Sequence, residues 1–291
     1  MSVLICDSNC ELWYERAEAL GLDYISMPYF DTEEHYYDLG KATDFKKFYS
    51  AVRKGTMPKT MALNPEDYKA IFTPYFEKGE DILYVSFSHA MSGTFNALRL
   101  ALEELKETYP ERKCTVFDTK AISLGAGLIV EAAAELKQKG ASDEELLAFL
   151  EDFRDRLGCY FAVDDLMHLK RGGRLSAAAA VAGTMLGLKP VLTFDEKGGI
   201  SVFEKIMGKK KAIRALAEHA IKEMTAPEYP VYVLDADSPE EGDKLAALIK
   251  EARPEANIRR QTVGPVIGTH CGPGTIAVLF IGDKRPIPLQ K

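Results

Sequence analysis

Most of the features that announce a catalytic or cofactor-bearing protein are missing from this sequence. Its five cysteines, Cys6, Cys10, Cys114, Cys159 and Cys271, include no CxxC pair of zinc or redox type. Cys6 and Cys10 have no second pair to complete a metal site, and all five read as small buried hydrophobes in a reducing compartment. His35, His89, His168, His219 and His270 show no ligand spacing, so no metal is expected. There is no P-loop and no GxGxxG fingerprint, which removes the common cradles for nucleotide phosphates. A GxSxG elbow is absent, and the carboxylates form no evident acid/base pair. A basic excess is also lacking. The net charge of -7 over 291 residues excludes a general polyanion surface, so no nucleic-acid partner is expected. No basic region followed by a long apolar run opens the chain, and the most apolar stretch, 177–188, is too short to span a bilayer. These absences predict a cytoplasmic protein with no integral membrane segment and at most transient membrane contact.

What is present is an ordinary globular composition, 46% hydrophobic and 28% charged. The length exceeds the roughly 250 residues at which single cores stop growing, so two domains are expected. In the first half, short apolar runs predict strands at 3–6, 24–27, 81–87 and 114–117. Helical patterns at 11–20, 95–108, 125–139 and 143–156 alternate with them, the last with Ser142 as N-cap. Strand–loop–helix repetition gives an α/β domain with a mostly parallel sheet flanked by helices. Ligands bind beyond the carboxyl ends of such strands, where Asp7-Ser8, the 88–94 loop and the 118–123 loop should converge.

The second half has a different grammar. A strand at 159–163 and a short helix at 165–171 precede a small-residue helix at 176–186. A strand pair at 190–194 and 200–205 surrounds Lys197-Gly198-Gly199. Helices at 209–224 and 239–252 and strands at 231–235, 258–263 and 275–281 complete an α+β domain with a mixed or antiparallel sheet. The boundary is placed near Leu157-Gly158, giving domains 1–157 and 158–291.

Three loops could carry chemistry. Ser86-Phe87-Ser88-His89-Ala90-Met91-Ser92-Gly93-Thr94 offers hydroxyls and free helix-start N–H groups to an anion, with Gly93 permitting close approach; its plain alternative is an N-cap serving only its own helix. Lys170-Arg171-Gly172-Gly173-Arg174-Leu175-Ser176 resembles an anion clamp. The stretch 264–274, with two prolines and four glycines, fixes His270 on a shaped backbone rather than on a helix. Lys209-Lys210-Lys211 reads as a solvated helix start or a docking patch. Tyr36-Tyr37 and Phe48-Tyr49 read as core or lid aromatics. Three function classes remain open: a binding protein, an acyl hydrolase or transferase using Ser92 or Ser88 with His270, and a sugar-phosphate or nucleotide enzyme.

These loops, in this order, resemble the DegV family across essentially the whole chain. The likeness rests on Ser88-His89-Ala90-Met91-Ser92-Gly93-Thr94-Phe95, with Met91 where leucine is usual. It also rests on Leu166-Met167-His168-Leu169-Lys170-Arg171-Gly172-Gly173-Arg174-Leu175, on Leu186-Gly187-Leu188-Lys189-Pro190-Val191-Leu192, and on an intact Gly268-Thr269-His270-Cys271-Gly272-Pro273-Gly274. Asp118-Thr119 with Ser123, Gly125 and Gly127 fits a further family segment. The resemblance implies a non-catalytic carrier, with one long-chain fatty acid as ligand, no cofactor, and the lipid buried between two domains with its tail in the second. It implies carboxylate contacts from Thr60, Ser92, Gly93 and Thr94, with Arg171, Arg174 and His270 at the pocket mouth or partner surface. It further implies presentation of the carboxylate to the ATP-binding subunit of a fatty acid kinase, within phospholipid metabolism. The chain departs from the family pattern where Met61-Ala62 follow Thr60, and at Met207, where kinase-coupled members tend to carry arginine. A carrier needs little electrostatic strength: about fifteen buried methylenes at ~0.8 kcal/mol each give roughly 12 kcal/mol before ordering costs.

Overall fold

The structure is a computed structural model that describes residues 1–175 and 188–289. The small-residue helix expected at 176–186 lies outside the described residues, as does the Leu186-Gly187 start of the Lys-Pro motif. The elements run β1 (Val3–Asp7), α1 (Tyr14–Ala19), β2 (Asp23–Ile25), β3 (Pro28–Phe30), β4 (Glu34–Tyr36), α2 (Phe45–Arg53), β5 (Lys59–Thr60) and α3 (Pro65–Glu77). Then come β6 (Ile82–Ser86), α4 (Thr94–Thr108), β7 (Cys114–Asp118), α5 (Leu124–Gln138), α6 (Asp143–Asp155), β8 (Leu157–Ala162) and α7 (Leu166–Arg171). The chain closes with β9 (Val191–Phe194), β10 (Ile200–Glu204), α8 (Lys209–Glu223), β11 (Val231–Asp235), α9 (Pro239–Ala252), β12 (Ile258–Thr262), α10 (Pro265–Cys271) and β13 (Ile276–Ile281). The chain falls into two compact units, Met1–Thr43 with Thr60–Glu151, and Asp44–Lys59 with Asp152–Lys291. The helix α2 thus lies early in sequence but packs with the second unit.

The first unit is α/β. Its four strands follow the order β2-β1-β6-β7, and all three pairings are parallel. β1 and β6 are almost wholly buried, as the apolar runs Val3–Cys6 and Ile82–Val85 require of strands covered on both faces. The helix α5 is buried along eleven consecutive residues, from Leu124 to Ala134. A Cβ on Gly127 would come within 2.3 Å of the Cys10 carbonyl, so only glycine lets α5 approach the β1 loop this closely. The helix expected at 11–20 begins later, at Tyr14. Asp7 caps a 3-10 turn at 8–10 by accepting from Asn9 N, and Glu11 leaves that turn in a left-handed conformation that no α-helix tolerates.

The second unit holds a mixed six-stranded sheet of order β10-β9-β8-β13-β11-β12, antiparallel except for β11–β12. Its core packs α8 and α9 on the sheet through Tyr160, Leu216, Val233, Leu245, Ile249 and Val278. The strand at β8 needs Gly158, because a Cβ there would meet the Phe280 ring at 2.3 Å. Among the described residues no helix is long and apolar enough to cross a membrane.

Candidate functional site

In the first unit the carboxyl ends of β1, β6 and β7 are tied together by their own loops. Asp7 closes β1, and its carboxylate accepts from Phe87 N at 3.1 Å and from the Tyr84 hydroxyl at 3.0 Å. Ser88 N donates to the Ala121 carbonyl at 2.7 Å, and Thr119 Oγ1 donates to the Ser86 carbonyl at 2.8 Å. The three loops therefore meet, and Asp7 works as an internal buttress rather than as a ligand contact. It is 1% exposed, and burial pushes its carboxyl up to about 7 against the three hydrogen bonds that favour its charged form.

Within this cradle the expected carboxylate contacts differ in availability. Ser92 is half-buried on an extended backbone just before α4, and its Oγ accepts from Thr94 N at 3.2 Å. Gly93 is the N-cap of α4, exposed and with no side-chain cap, and a Cβ on it would meet nothing within 4 Å. Its φ of -71° suits any residue, so Gly93 supplies open space at the helix start rather than a special conformation. Thr94 is 1% exposed, and its hydroxyl bonds Tyr68 OH at 3.0 Å and the Leu63 carbonyl at 3.3 Å. That hydroxyl holds the segment after Thr60 against α4, while Thr94 N donates to Ser92 Oγ and Asn96 N to the Gly93 carbonyl at 3.1 Å. Thr60 is half-buried on β5, and Met61 N beside it donates to the Pro28 carbonyl at 3.2 Å.

Ser88 is fully buried, and its Oγ accepts from Ala90 N at 3.3 Å, as a turn-forming serine does. His89 instead turns back to Ser86, with Nε2 at 3.0 Å from Oγ, and stacks on Phe95 at 3.9 Å between ring centroids. Burial lowers its pKa while Asp118, at 3.9 Å from Nδ1, pulls the other way. Ser86 is fully buried and also donates to the Phe117 carbonyl at 3.2 Å, so this serine–histidine contact faces inward and exposes no nucleophile.

In the second unit Arg174 and His270 meet around Gly172. A Cβ at Gly172 would sit 2.4 Å from His270 Nδ1, so the first glycine of the Arg-Gly-Gly-Arg turn makes room for the imidazole. The second, Gly173, has φ +69°, which lets the chain turn sharply out of α7. Burial, aided by the Arg174 guanidinium, brings the His270 pKa down to about 4, so the ring is neutral at physiological pH. Arg171 points elsewhere: its Nε donates to the Met167 carbonyl at 3.2 Å and it lies 3.9 Å from Asp165. The expectation of a helix-free His270 is corrected. Pro265 opens the seven-residue α10, and His270 lies in its last turn before Gly272 at φ +73°.

Sequence reasoning passed over two neighbours of this corner. His168 packs against Gly272, where a Cβ would meet its ring at 2.4 Å. Asp164 gathers Lys209 at 2.9 Å and Lys189 at 3.4 Å, joining the Lys-Pro motif and the start of α8 to the end of β8. The glycine pairs beside His168 and His270 were the available signal. Among the described residues no group of three or more potential ligands could hold a metal ion.

Comparison with known proteins covers both units. A family model described as an uncharacterised protein of the DegV family matches residues 2–283. A DegV domain-containing protein of Clostridium perfringens is 36% identical over 285 residues, covering 97% of this chain and 98% of its own. A solved DegV family protein from Thermus thermophilus, described by its fatty acid binding, superposes with a TM-score of 0.82 at 29% identity, covering 96% of this chain and 99% of that one. DegV from Bacillus subtilis, described as a fatty acid-binding protein, superposes with a TM-score of 0.81 at 30% identity, covering 96% and 98%. The match spans both units from end to end, and the chain belongs to the DegV family.

Proposed function

We propose that this protein is a non-catalytic carrier of a single long-chain fatty acid. The observation that carries the reading is the likeness, over 96% of the chain, to two solved proteins described as fatty acid-binding. The local geometry supports it. Ser92 Oγ at the open, glycine-capped start of α4 suits a carboxylate, with Thr60 as a further hydroxyl donor. Hydrogen bonds to a charged group are worth about 1.5–3 kcal/mol, enough to orient a head group whose affinity comes from its alkyl chain. Neutral His270 beside Arg174 makes a second polar corner, suited to an anionic or phosphorylated group. Its role in this reading is to face the kinase subunit that would phosphorylate the carboxylate. The alternative, an acyl hydrolase or transferase using Ser92 or Ser88 with His270, is weakened at Ser88, which is fully buried and held in its own turn.

Native mass spectrometry of protein purified from cells tests the carrier. The expected result is an added mass of one C16–C18 fatty acid, and its weakening in Ser92→Ala with the fold intact. A clean apo mass with no uptake of supplied oleate would exclude it. Phosphorylation of the bound acid on adding a fatty acid kinase ATP-binding subunit and ATP tests the wider role, and no acyl phosphate with a subunit active on another carrier would remove it.

A further inference from the structure

The first unit carries a groove of about 850 Å³ between α4 and β7, which shares Ser92 with the carboxylate site proposed above and extends along α4 as far as Lys106. Its floor is apolar, formed by Phe76, Phe95, Leu98, Leu102 and Val116. The α4 contributors lie at 95, 96, 98, 99, 102, 103 and 106, mostly the i, i+3, i+4 stripe of one helical face. Phe95, Leu98 and Leu102 are the apolar part of this face, which borders β7, the last strand of the sheet among the described residues.

The register of β7 fixes what that edge offers. Ile82 N donates to the Lys113 carbonyl and Thr119 N to the Ser86 carbonyl, with Ile82 opposite Cys114 and Ser86 opposite Asp118. In a parallel ladder this directs the N–H and C=O of Thr115 and Phe117 toward β6, and those of Cys114 and Val116 away from it. Four of the five β7 residues are partly exposed, whereas β6 is buried throughout. Cys114 and Val116 also line the groove, so the outward main-chain groups of β7, unpartnered among the described residues, lie beside its apolar floor.

The charge at the rim selects among occupants. Arg99, Lys106, Arg112 and Lys113 line the groove against one carboxylate, Glu103, on a chain of net charge -7. Arg99 pairs with Glu103 at 2.5 Å and Arg112 lies 3.6 Å from Asp81. Among the described residues Lys106 and Lys113 have no carboxylate partner, and Lys106 Nζ donates only to the Pro110 carbonyl, at 2.7 Å. Edge amides with no partner among the described residues, an apolar groove floor and spare cations together match an extended peptide that adds a strand.

We infer that the α4–β7 groove is a docking site for an extended acidic segment of another protein, which pairs with Cys114 and Val116 at the free edge of β7 and sets its carboxylates against Lys106 and Lys113. The probe is a blocked octapeptide of alternating glutamate and valine, with its lysine counterpart as control, added to the full-length protein. Hydrogen exchange across 113–119 should slow with the acidic peptide only. Val116→Pro removes an outward N–H without touching the ladder to β6 and should weaken binding at least tenfold, leaving fatty-acid uptake unchanged. The pair Lys106→Glu and Lys113→Glu should weaken the acidic peptide to a similar degree and admit the lysine peptide. Equal binding to Val116→Pro, or no protection at millimolar peptide, would overturn the inference. Protection by phosphatidylglycerol vesicles but not by the peptide would overturn it in favour of a lipid surface.

Discussion

Individual side chains carry the sharpest consequences of this fold. Asp7 is held in the protein interior with its pKa raised to about 7, so the folded state keeps a proton that the unfolded chain releases near pH 4. Stability from this group is therefore full below about pH 4, falls as pH rises toward 7, and is constant above. The complete shift corresponds to about 4 kcal/mol. Urea unfolding at pH 5 and pH 8 should show wild type losing stability with rising pH, and Asp7→Asn losing much less. Equal slopes would contradict the assignment. His219 acts in the opposite sense to a buried neutral ring. It lies 3.2 Å from both Glu204 and Glu223, and its pKa is raised, by the Glu223 hydrogen bond first. The stability it adds is present below pH 6.5 and is lost as pH rises through its folded value. Gly172→Ala should displace His270, because the new methyl falls on Nδ1. The ring's imidazole resonances would then titrate above the wild-type value of about 4.

At the scale of elements, α3 shows why part of the chain was hard to read. Its start is a complete capping box, with Asn64 Oδ1 accepting from Asp67 N at 3.1 Å and Asp67 Oδ2 accepting from Asn64 N at 2.8 Å. Asn64→Ala should cost about 1 kcal/mol, visible as a lower urea midpoint at unchanged slope. The Asn-Pro-Glu-Asp signal was present in the sequence, but Pro74 inside the helix and polar positions on both sides blurred its periodicity. The strands β3, β4 and β5 were also missed, being two or three residues long and too short for alternation to register. By contrast β1, β6, β11 and β13 were plain, because strands buried on both faces read as unbroken apolar runs. The loops Ser88–Thr94 and Arg171–Arg174 were legible from their glycines and hydroxyls. Which hydroxyl faces outward was not, because Thr94 and Ser92 look alike in sequence and differ only in what packs on them. The α-helical state of His270 was hidden for a similar reason: Pro265 and Gly272 read as loop residues, yet they bound a helix as its first position and its stop.

At the scale of the whole molecule, the cysteines and the bound ligand of the proposed carrier give the tests. Its five cysteines are free, and Cys114 and Cys159 have thiols pushed up to about 12 by burial, as expected of inert packing residues. A ligand that binds only the folded chain must stabilise it by mass action. Delipidated protein should therefore melt lower than the protein as purified, and oleate at a hundred times its Kd should restore about 2.7 kcal/mol. Ser92→Ala should fold normally, yet bind roughly ten to a hundredfold more weakly, the expected loss of one charge-assisted hydrogen bond. The most direct test of the carrier is the mass of what the protein holds. Under native conditions the purified chain should carry one equivalent of a C16–C18 fatty acid, lose it on delipidation and take up oleate one to one. A chain that stays apo in the presence of excess oleate would contradict the account.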